Sequence, residues 1–381
     1  MAESFVKPEG CNRDASSNSG ACNLSCNPCW SLKMMHSQGG WTLCESATRA
    51  TRATCRTIQA SGVPNMIVDV LLLAVGLVVL YFGAEWLVTA SSKLAFALGV
   101  TPLVIGLTVV AYGTSAPEMV VSVAASARGN GALSLGNIVG SNICNIGLIL
   151  GTAALIRPVH VAPSTMRLEY PVLLAGSVAL YAMAWMSQTV GRMDGALLLA
   201  GIIAYTVYAV RSARKASRAR RAANGGEEEN KESKLPSIGL ALVGLVALVI
   251  GAELMVRSAV SLALQFGVPD FVIAVSVVAF GTSVPELATS AVAALKNESD
   301  ISVGNVIGSN LCNALFIIGV VGLVFELPVD ARSLTFDFPI MIGFTVVLYP
   351  IMRTGFYIGR MKGGFLLLSY ASYVLALFLF R

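Results

Sequence analysis

Residues 111–151 read AYGTSAPEMVVSVAASARGNGALSLGNIVGSNICNIGLILG, and residues 279–319 read AFGTSVPELATSAVAALKNESDISVGNVIGSNLCNALFIIG. The two align without a gap at a constant offset of 168, so Glu118 pairs with Glu286 and Asn145 with Asn313. The match extends upstream, where Phe82-Gly83-Ala84-Glu85 faces Ile250-Gly251-Ala252-Glu253. Each copy sets a Pro and a Glu within strongly apolar sequence. An ionisable residue inside a membrane span marks a functional site by default. Interrupted apolar segments at matching positions of two halves point to a binding site between the halves.

Composition agrees with a membrane chain. Mean hydropathy is +0.74, and 55% of residues are hydrophobic against 12% charged. A soluble chain carries about a quarter charged residues. The net charge of +5 is small and concentrated in one central loop. It reads as membrane topology and gives no reason to expect a nucleic-acid partner. Six of the eight cysteines precede residue 60. The other two, Cys144 and Cys312, are repeat mates within apolar helices and read as packing residues, not a disulfide pair.

Residues 1–62 are polar, rich in Ser, Asn and Cys, and without helical periodicity or the apolar core of a signal peptide. They read as a poorly structured extension, with a physiological start near Met66. Cys22, Cys26 and Cys29 form a CxxxCxxC pattern that could hold an iron–sulfur cluster, but no matching domain follows.

Apolar runs then fall near 67–90, 101–127, 133–155, 170–189 and 193–211, and again near 237–262, 270–295, 302–325, 334–353 and 363–380. Each can span a hydrocarbon core of about 30 Å. The expected fold is all-α and polytopic: ten transmembrane helices in two five-helix repeats, 63–210 and 237–381, joined by a linker at 211–236. That linker is a basic block, a Gly-Gly break and an acidic block; Glu227, Glu228 and Glu229 lack the spacing of a calcium loop.

Eight Lys and Arg lie in the central loop, which places it in the cytoplasm with both termini outside. Lys93, Arg157, Arg167, Lys296, Arg353, Arg360 and Lys362 add to that side, against Arg128, Arg192, Arg257, Arg332 and Arg381 on the other. Repeat mates lie five helices apart, an odd number, so Glu118 and Glu286 sit on helices of opposite direction. Inverted repeats of this kind place their site near the bilayer midplane.

Ala111, Ser115, Glu118 and Ser122 share one helix face, as do Asn137, Ser141 and Asn145 on the next helix. Ala279, Ser283, Glu286 and Ser290, then Asn305, Ser309 and Asn313, repeat the arrangement. Pro117 withholds a backbone N–H, which should free carbonyls near Ala111 and Gly113. Gly136, Gly140, Gly304 and Gly308 should let helices approach closely. The convergent groups are oxygens, without His or reactive Cys. Such a set suits calcium, sodium or magnesium, not zinc or copper. An unneutralised carboxylate at the midplane costs about 2.5–3.5 kcal/mol or more, so an empty site resists crossing and two ion fluxes become coupled. Asn142 and Asn310 could instead hold helices together, and Glu85 and Glu253 lie nearer helix ends.

GTSAPE and GTSVPE, each followed by GNxxGSNxxN, make residues from about 67 to 381 resemble the cation/calcium exchanger superfamily, specifically bacterial sodium/calcium exchangers. The resemblance implies calcium ligands at Glu118 and Glu286 with the carbonyls of Thr114 and Thr282. It implies sodium-site groups at Ala111, Ser115, Ser141, Ala279, Ser283 and Ser309 together with the two glutamates. Asn145 and Asn313 match the remaining polar core positions, and Asn at 313 speaks against potassium co-transport. The second, third, seventh and eighth helices would form the ion-binding core, with the first and sixth sliding past it. The central loop is too short for the folded calcium-sensing domains of animal exchangers. The expected activity is calcium-for-sodium antiport in a plasma or bacterial inner membrane, with the ions as substrates, no cofactor, no enzymatic activity and a monomer sufficient. A calcium/proton antiporter is the alternative, since both use the same carboxylates; hydroxyl ligands favour sodium. A cation channel fits less well, because channels ring one pore with repeated subunits.

Overall fold

The computed structural model describes residues 33–37, 40–44, 56–58, 66–223, 234–267 and 279–379. It divides into two units, Met1–Val63 and Pro64–Arg381. In the first, β1 (Lys33–Ser37), β2 (Gly40–Cys44) and β3 (Arg56–Ile58) form an antiparallel sheet in the order β1-β2-β3. The lack of regular structure expected before residue 63 does not extend to these stretches. Trp41, Thr42, Thr57 and Ile58 are of the aromatic and β-branched types enriched in strands. Cys22, Cys26 and Cys29 lie outside the described residues.

The second unit is helical. Its helices are α1 (Met66–Leu98), α2 (Pro102–Thr114), α3 (Ala116–Ala127), α4 (Gly131–Ile156), α5 (Pro163–Ser187), α6 (Arg192–Ala223), α7 (Lys234–Gln265), α8 (Val284–Leu295), α9 (Ser299–Val324), α10 (Ser333–Arg353) and α11 (Arg360–Leu379). Seven of the described helices are long and apolar enough to cross a membrane, and α2 with α3 makes an eighth span bent by 44°. The span expected at 270–295 is described only from Ala279 onward; residues 268–278 lie outside the described set. The stretch expected as a tenth span, 363–380, is helical as part of Arg360–Leu379.

α6 runs on to Ala223, into the segment expected to be linker. Arg211–Ala223 is rich in Ala, Arg and Lys, all strong helix formers, so the basic run extends the membrane helix. The acidic block at Glu227–Glu229 lies outside the described residues.

α4 and α9 occupy the centre: 78% and 83% of their most apolar windows are buried, against 17% for α1 and 28% for α7. One apolar cluster surrounds this central pair, with Ile146, Ile149, Ile317 and Phe338 fully enclosed. A second cluster joins α1 and α7, through Leu80, Leu87, Leu248 and Ala252, to Val110 of α2, Val284 and Val292 of α8 and Ile301 of α9. The pair meets backbone to backbone. A Cβ on Gly83 would sit 2.7 Å from the Leu248 nitrogen, and one on Gly251 would sit 2.6 Å from the Leu80 nitrogen. Gly76 lies against Gly251 and Gly83 against Gly244, so α1 and α7 run antiparallel. These four glycines are themselves mates at the offset of 168.

The loops are exchanged in the same way. Val159–His160 (β4) pairs with Tyr357–Ile358 (β7), and Thr189–Val190 (β5) with Leu327–Pro328 (β6). β4 is the repeat mate of β6 and β5 of β7. Each half therefore completes its two-residue ladders with strands from the other.

Candidate functional site

The break between α2 and α3 aims the first set of polar groups. Ser115 leaves helical geometry at φ −80°, ψ 7°, and Pro117 opens the first turn of α3 with Glu118 beside it. Ser283 repeats the break at φ −90°, ψ 6°, with Pro285 and Glu286 opening α8. The two halves differ in what the break does to the backbone. Ser115 N–H still reaches the Ala111 carbonyl at 3.0 Å, so that carbonyl is not freed as the sequence suggested. Ser283 N–H turns instead to the Phe280 carbonyl, also at 3.0 Å. Pro117 lacks a donor of its own but leaves the Ser115 N–H, two residues earlier, able to bond.

Glu118 and Glu286 are each 1% exposed. Each is held by the serine of the opposite half: Ser115 Oγ donates to Glu286 Oε1 at 3.1 Å, and Ser283 Oγ donates to Glu118 Oε1 at 3.2 Å. Ser283 Oγ also lies 3.4 Å from Ser141 Oγ.

The central helices brace the broken ones. Asn305 Nδ2 donates to Ser290 Oγ at 2.9 Å and to the Glu286 carbonyl at 3.2 Å. Asn137 Nδ2 makes the matching bonds to Ser122 Oγ at 3.2 Å and the Glu118 carbonyl at 3.5 Å. Thr114 Oγ1 reaches Asn305 Oδ1 at 3.2 Å. Asn137 and Asn305 thus set the carboxylates' backbone, a role that their place four residues before a Ser on the same face could have signalled. Asn142 and Asn310 donate to each other's backbone carbonyls, at 3.4 and 3.3 Å, and so join α4 to α9. A Cβ on Gly308 would meet the Leu107 backbone at 2.7 Å, and one on Gly304 the Leu103 carbonyl at 2.8 Å. For Gly136 and Gly140, the corresponding residues 271–276 lie outside the described set.

Other expected residues stand nearby with unsatisfied atoms. Asn145 Nδ2 donates to Asn310 Oδ1 at 2.9 Å, but Asn145 Oδ1 has no partner. Glu118 Oε2, Glu286 Oε2, Ser309 Oγ, Thr282 Oγ1 and both side-chain polar atoms of Asn313 are buried and unpartnered. Ala111 is fully buried, and Ala279 begins the short turn Ala279–Gly281. Buried polar atoms normally find a partner. Carboxylate, amide and hydroxyl oxygens are the ligand types that hard cations take. Among the described residues no three His, Cys, Asp or Glu side chains gather, so amides and hydroxyls would have to complete any such shell. Cys144 and Cys312 are buried and unbridged.

The remaining acidic candidates are paired at the periphery. Glu85 accepts from Lys296 Nζ at 2.9 Å, and Glu253 from Arg257 Nε on its own helix at 2.5 Å.

Apolar spans around a buried and cross-braced pair of carboxylates define a multi-pass membrane protein. The family model for sodium/calcium exchanger proteins matches residues 68–211 and again 236–379, two blocks displaced by the same 168 positions. The sodium/calcium exchanger MaX1 of Methanosarcina acetivorans is 35% identical over 345 residues, covering 82% of this chain and 99% of its own length. The inner membrane protein YrbG of Escherichia coli is 36% identical over 286 residues, covering 74% of this chain and 88% of its own. A solved structure of the sodium-calcium exchanger NCX_Mj superposes with a TM-score of 0.72 at 33% identity, over 82% of this chain and all of that one. The chain belongs to the sodium/calcium exchanger family, a family of cation antiporters.

Proposed function

We propose that this protein exchanges calcium for sodium by alternating access at a site between two inverted five-helix repeats, ten transmembrane helices in all. The reading rests on one observation above the others. Glu118 and Glu286 are held by serines donated across the halves, while the second oxygen of each carboxylate is buried without a partner. Two carboxylates balance one calcium ion, and the same oxygens with Ser, Thr and Asn ligands can be filled by sodium instead. Neither ion can be absent cheaply, because two bare carboxylates within the membrane are costly. Obligatory replacement of one ion by the other is exchange.

In this reading Glu118, Glu286, Thr114, Thr282, Asn145 and Asn313 form the calcium site. Ala111, Ser115, Ser141, Ala279, Ser283 and Ser309 complete the sodium positions. The protein lies in the plasma or bacterial inner membrane with its central loop in the cytoplasm and both termini outside. One chain carries the whole site, so a monomer suffices.

The test is calcium uptake into proteoliposomes with an outward sodium gradient, beside an outward proton gradient at zero sodium. Sodium-driven uptake that Glu118→Gln with Glu286→Gln abolishes is the expected result. Uptake driven by protons alone would overturn the sodium assignment and leave a calcium/proton antiporter; gradient-driven uptake surviving in the double variant would overturn the site.

A further inference from the structure

The α8–α9 turn and its repeat mate, the α3–α4 turn, share a backbone and differ in reach. Glu298 N–H bonds the Ala293 carbonyl at 2.8 Å, as Asn130 N–H bonds that of Ala125 at 2.9 Å. Asn297 N–H bonds Ala294 at 3.1 Å, as Gly129 N–H bonds Ser126 at 2.9 Å. The side chains then diverge. Lys296 Nζ donates to Glu85 Oε1 at 2.9 Å and to Thr89 Oγ1 at 3.0 Å, both on α1. Ser92 Oγ, further along α1, donates to Glu298 Oε1 at 2.9 Å. Glu298 is the N-cap residue of α9, yet its carboxylate makes no capping bond to its own helix.

The mates of these groups stay within their own helices. Arg128, the mate of Lys296, is exposed and forms no ion pair among the described residues. Glu253, the mate of Glu85, pairs with Arg257 on α7 itself. Asn130, the mate of Glu298, caps α4 by accepting from the Leu133 N–H at 3.2 Å. Val260 stands where a second Ser92 would donate.

Apolar packing has the same bias. The cluster that joins α1 to α7 takes in Val284, Val292 and Ala293 of α8 and, among the described residues, none of α3. On α8, Glu286, Thr289, Ala293 and Lys296 fall at steps of three and four, so one face carries the central carboxylate and, about 15 Å along, the crossing lysine. Thr289 on that face is 0% exposed, whereas its mate Val121 is 37% exposed.

We propose that Lys296 and Glu298 are positioning residues for transport, latching α1 to the α8–α9 turn and so holding shut the approach to Glu286 between α1 and α8. The inference rests on the alternating access proposed above, in which α1 has to part from α8 for that approach to open. The bonds suit a latch that releases. The Lys296 and Glu85 side chains are 33% and 32% exposed, so water can take over their hydrogen bonds as they separate. A fully buried pair would resist separation instead. With no crossing bonds from the α3–α4 turn among the described residues, the two approaches are held unequally, and the resting protein favours closure beside α8.

The experiment reads that closure directly. Thr289→Cys, in the full chain in detergent without sodium or calcium, is treated with a water-soluble maleimide, and its modification is followed by mass on the peptide that carries it, apart from the native cysteines. Slow labelling is expected. Lys296→Met or Ser92→Ala should quicken it about two- to fivefold. Exchanging the pair, Glu85→Lys with Lys296→Glu, should return it toward the parent rate, and Arg128→Met should leave it unchanged. Choline chloride, which screens the ion pair without supplying sodium or calcium, should quicken labelling of the parent. Fast labelling in the parent, no change in Lys296→Met and Ser92→Ala, an equal effect of Arg128→Met, or an exchanged pair as fast as Lys296→Met would each overturn the proposal. If the added variants do not fold, a parent rate indifferent to choline chloride overturns it alone. No ion gradient is used, so the result stands apart from whether the central site couples calcium to sodium.

Discussion

Asn142 and Asn310 hold each other's backbones: each side-chain amide donates to the main-chain carbonyl of the other, across the centre of the molecule. The pair is nearly symmetric, but Asn310 Oδ1 also accepts from Asn145 at 2.9 Å. Removing Asn310 therefore strands a buried amide that removing Asn142 does not. Each lost buried hydrogen bond costs about 1–3 kcal/mol when its partner is left unsatisfied. Asn142→Ala and Asn310→Ala should both lower the unfolding temperature in detergent, Asn310→Ala by more. Equal losses would contradict the asymmetry.

The crossed serine–glutamate bonds predict a linked pair of transport defects. Ser115→Ala removes the donor to Glu286, and Ser283→Ala the donor to Glu118 together with a contact to Ser141. A hydrogen bond to a charged group contributes about 1.5–3 kcal/mol, so each change should weaken apparent ion affinity about tenfold or more. Ser283→Ala should be the more severe. Half-saturation for calcium and for sodium, measured in proteoliposomes, decides it; unchanged values in both variants would remove the serines from the site.

At the proposed site, protons and cations would compete for Glu118 and Glu286. Protonation removes the charge that attracts the cation, so uptake at fixed calcium should fall as pH falls, and higher calcium should restore it. A drop in maximal rate that no calcium concentration rescues would place the titrating group elsewhere.

The seam between α1 and α7 should tolerate no side chain. Gly251→Val would press a branched carbon into the Leu80 backbone, where even a Cβ stands at 2.6 Å. Overpacking costs typically about 1–3 kcal/mol, and here the obstruction is backbone that cannot swing aside. Loss of folded yield or of transport is expected. Gly239→Ala, on the same helix with nothing within 4 Å of the added carbon, should behave as wild type.

Much of this architecture was legible because duplication wrote it twice. The Pro-Glu breaks, the Ser and Asn faces and the glycines stand at matched positions, so a polar group that would pass for packing in one copy becomes conspicuous in two. The functions of individual groups were less legible. The sequence pairs Ser115 with Ser283 as mates but does not say that each bonds the other's neighbouring carboxylate, since that depends on how the halves face one another. It also does not say that the two breaks differ at Ala111 and Ala279, where one hydrogen bond shifts by a residue. The π-helical turns at Gly106–Val110, Asn145–Ile149 and Cys312–Ile317 were invisible for a related reason. Such bulges follow from packing against neighbours, not from composition, and they are frequent at functional sites. The extension of α6 into the basic run failed for the opposite reason. Charge was read as solvated loop, when helix propensity was the stronger preference.

The antiparallel packing of α1 on α7 has a mechanical corollary. The pair meets along glycines with backbone in contact, and its apolar cluster continues into α2, α8 and α9. Any displacement of the pair along the membrane normal runs toward the C-terminus of one helix and the N-terminus of its mate. In the alternating access proposed for this protein, a shift that clears the approach beside one half would crowd the equivalent approach beside the other. The two doors hang on one beam, and the beam cannot tip both ways at once.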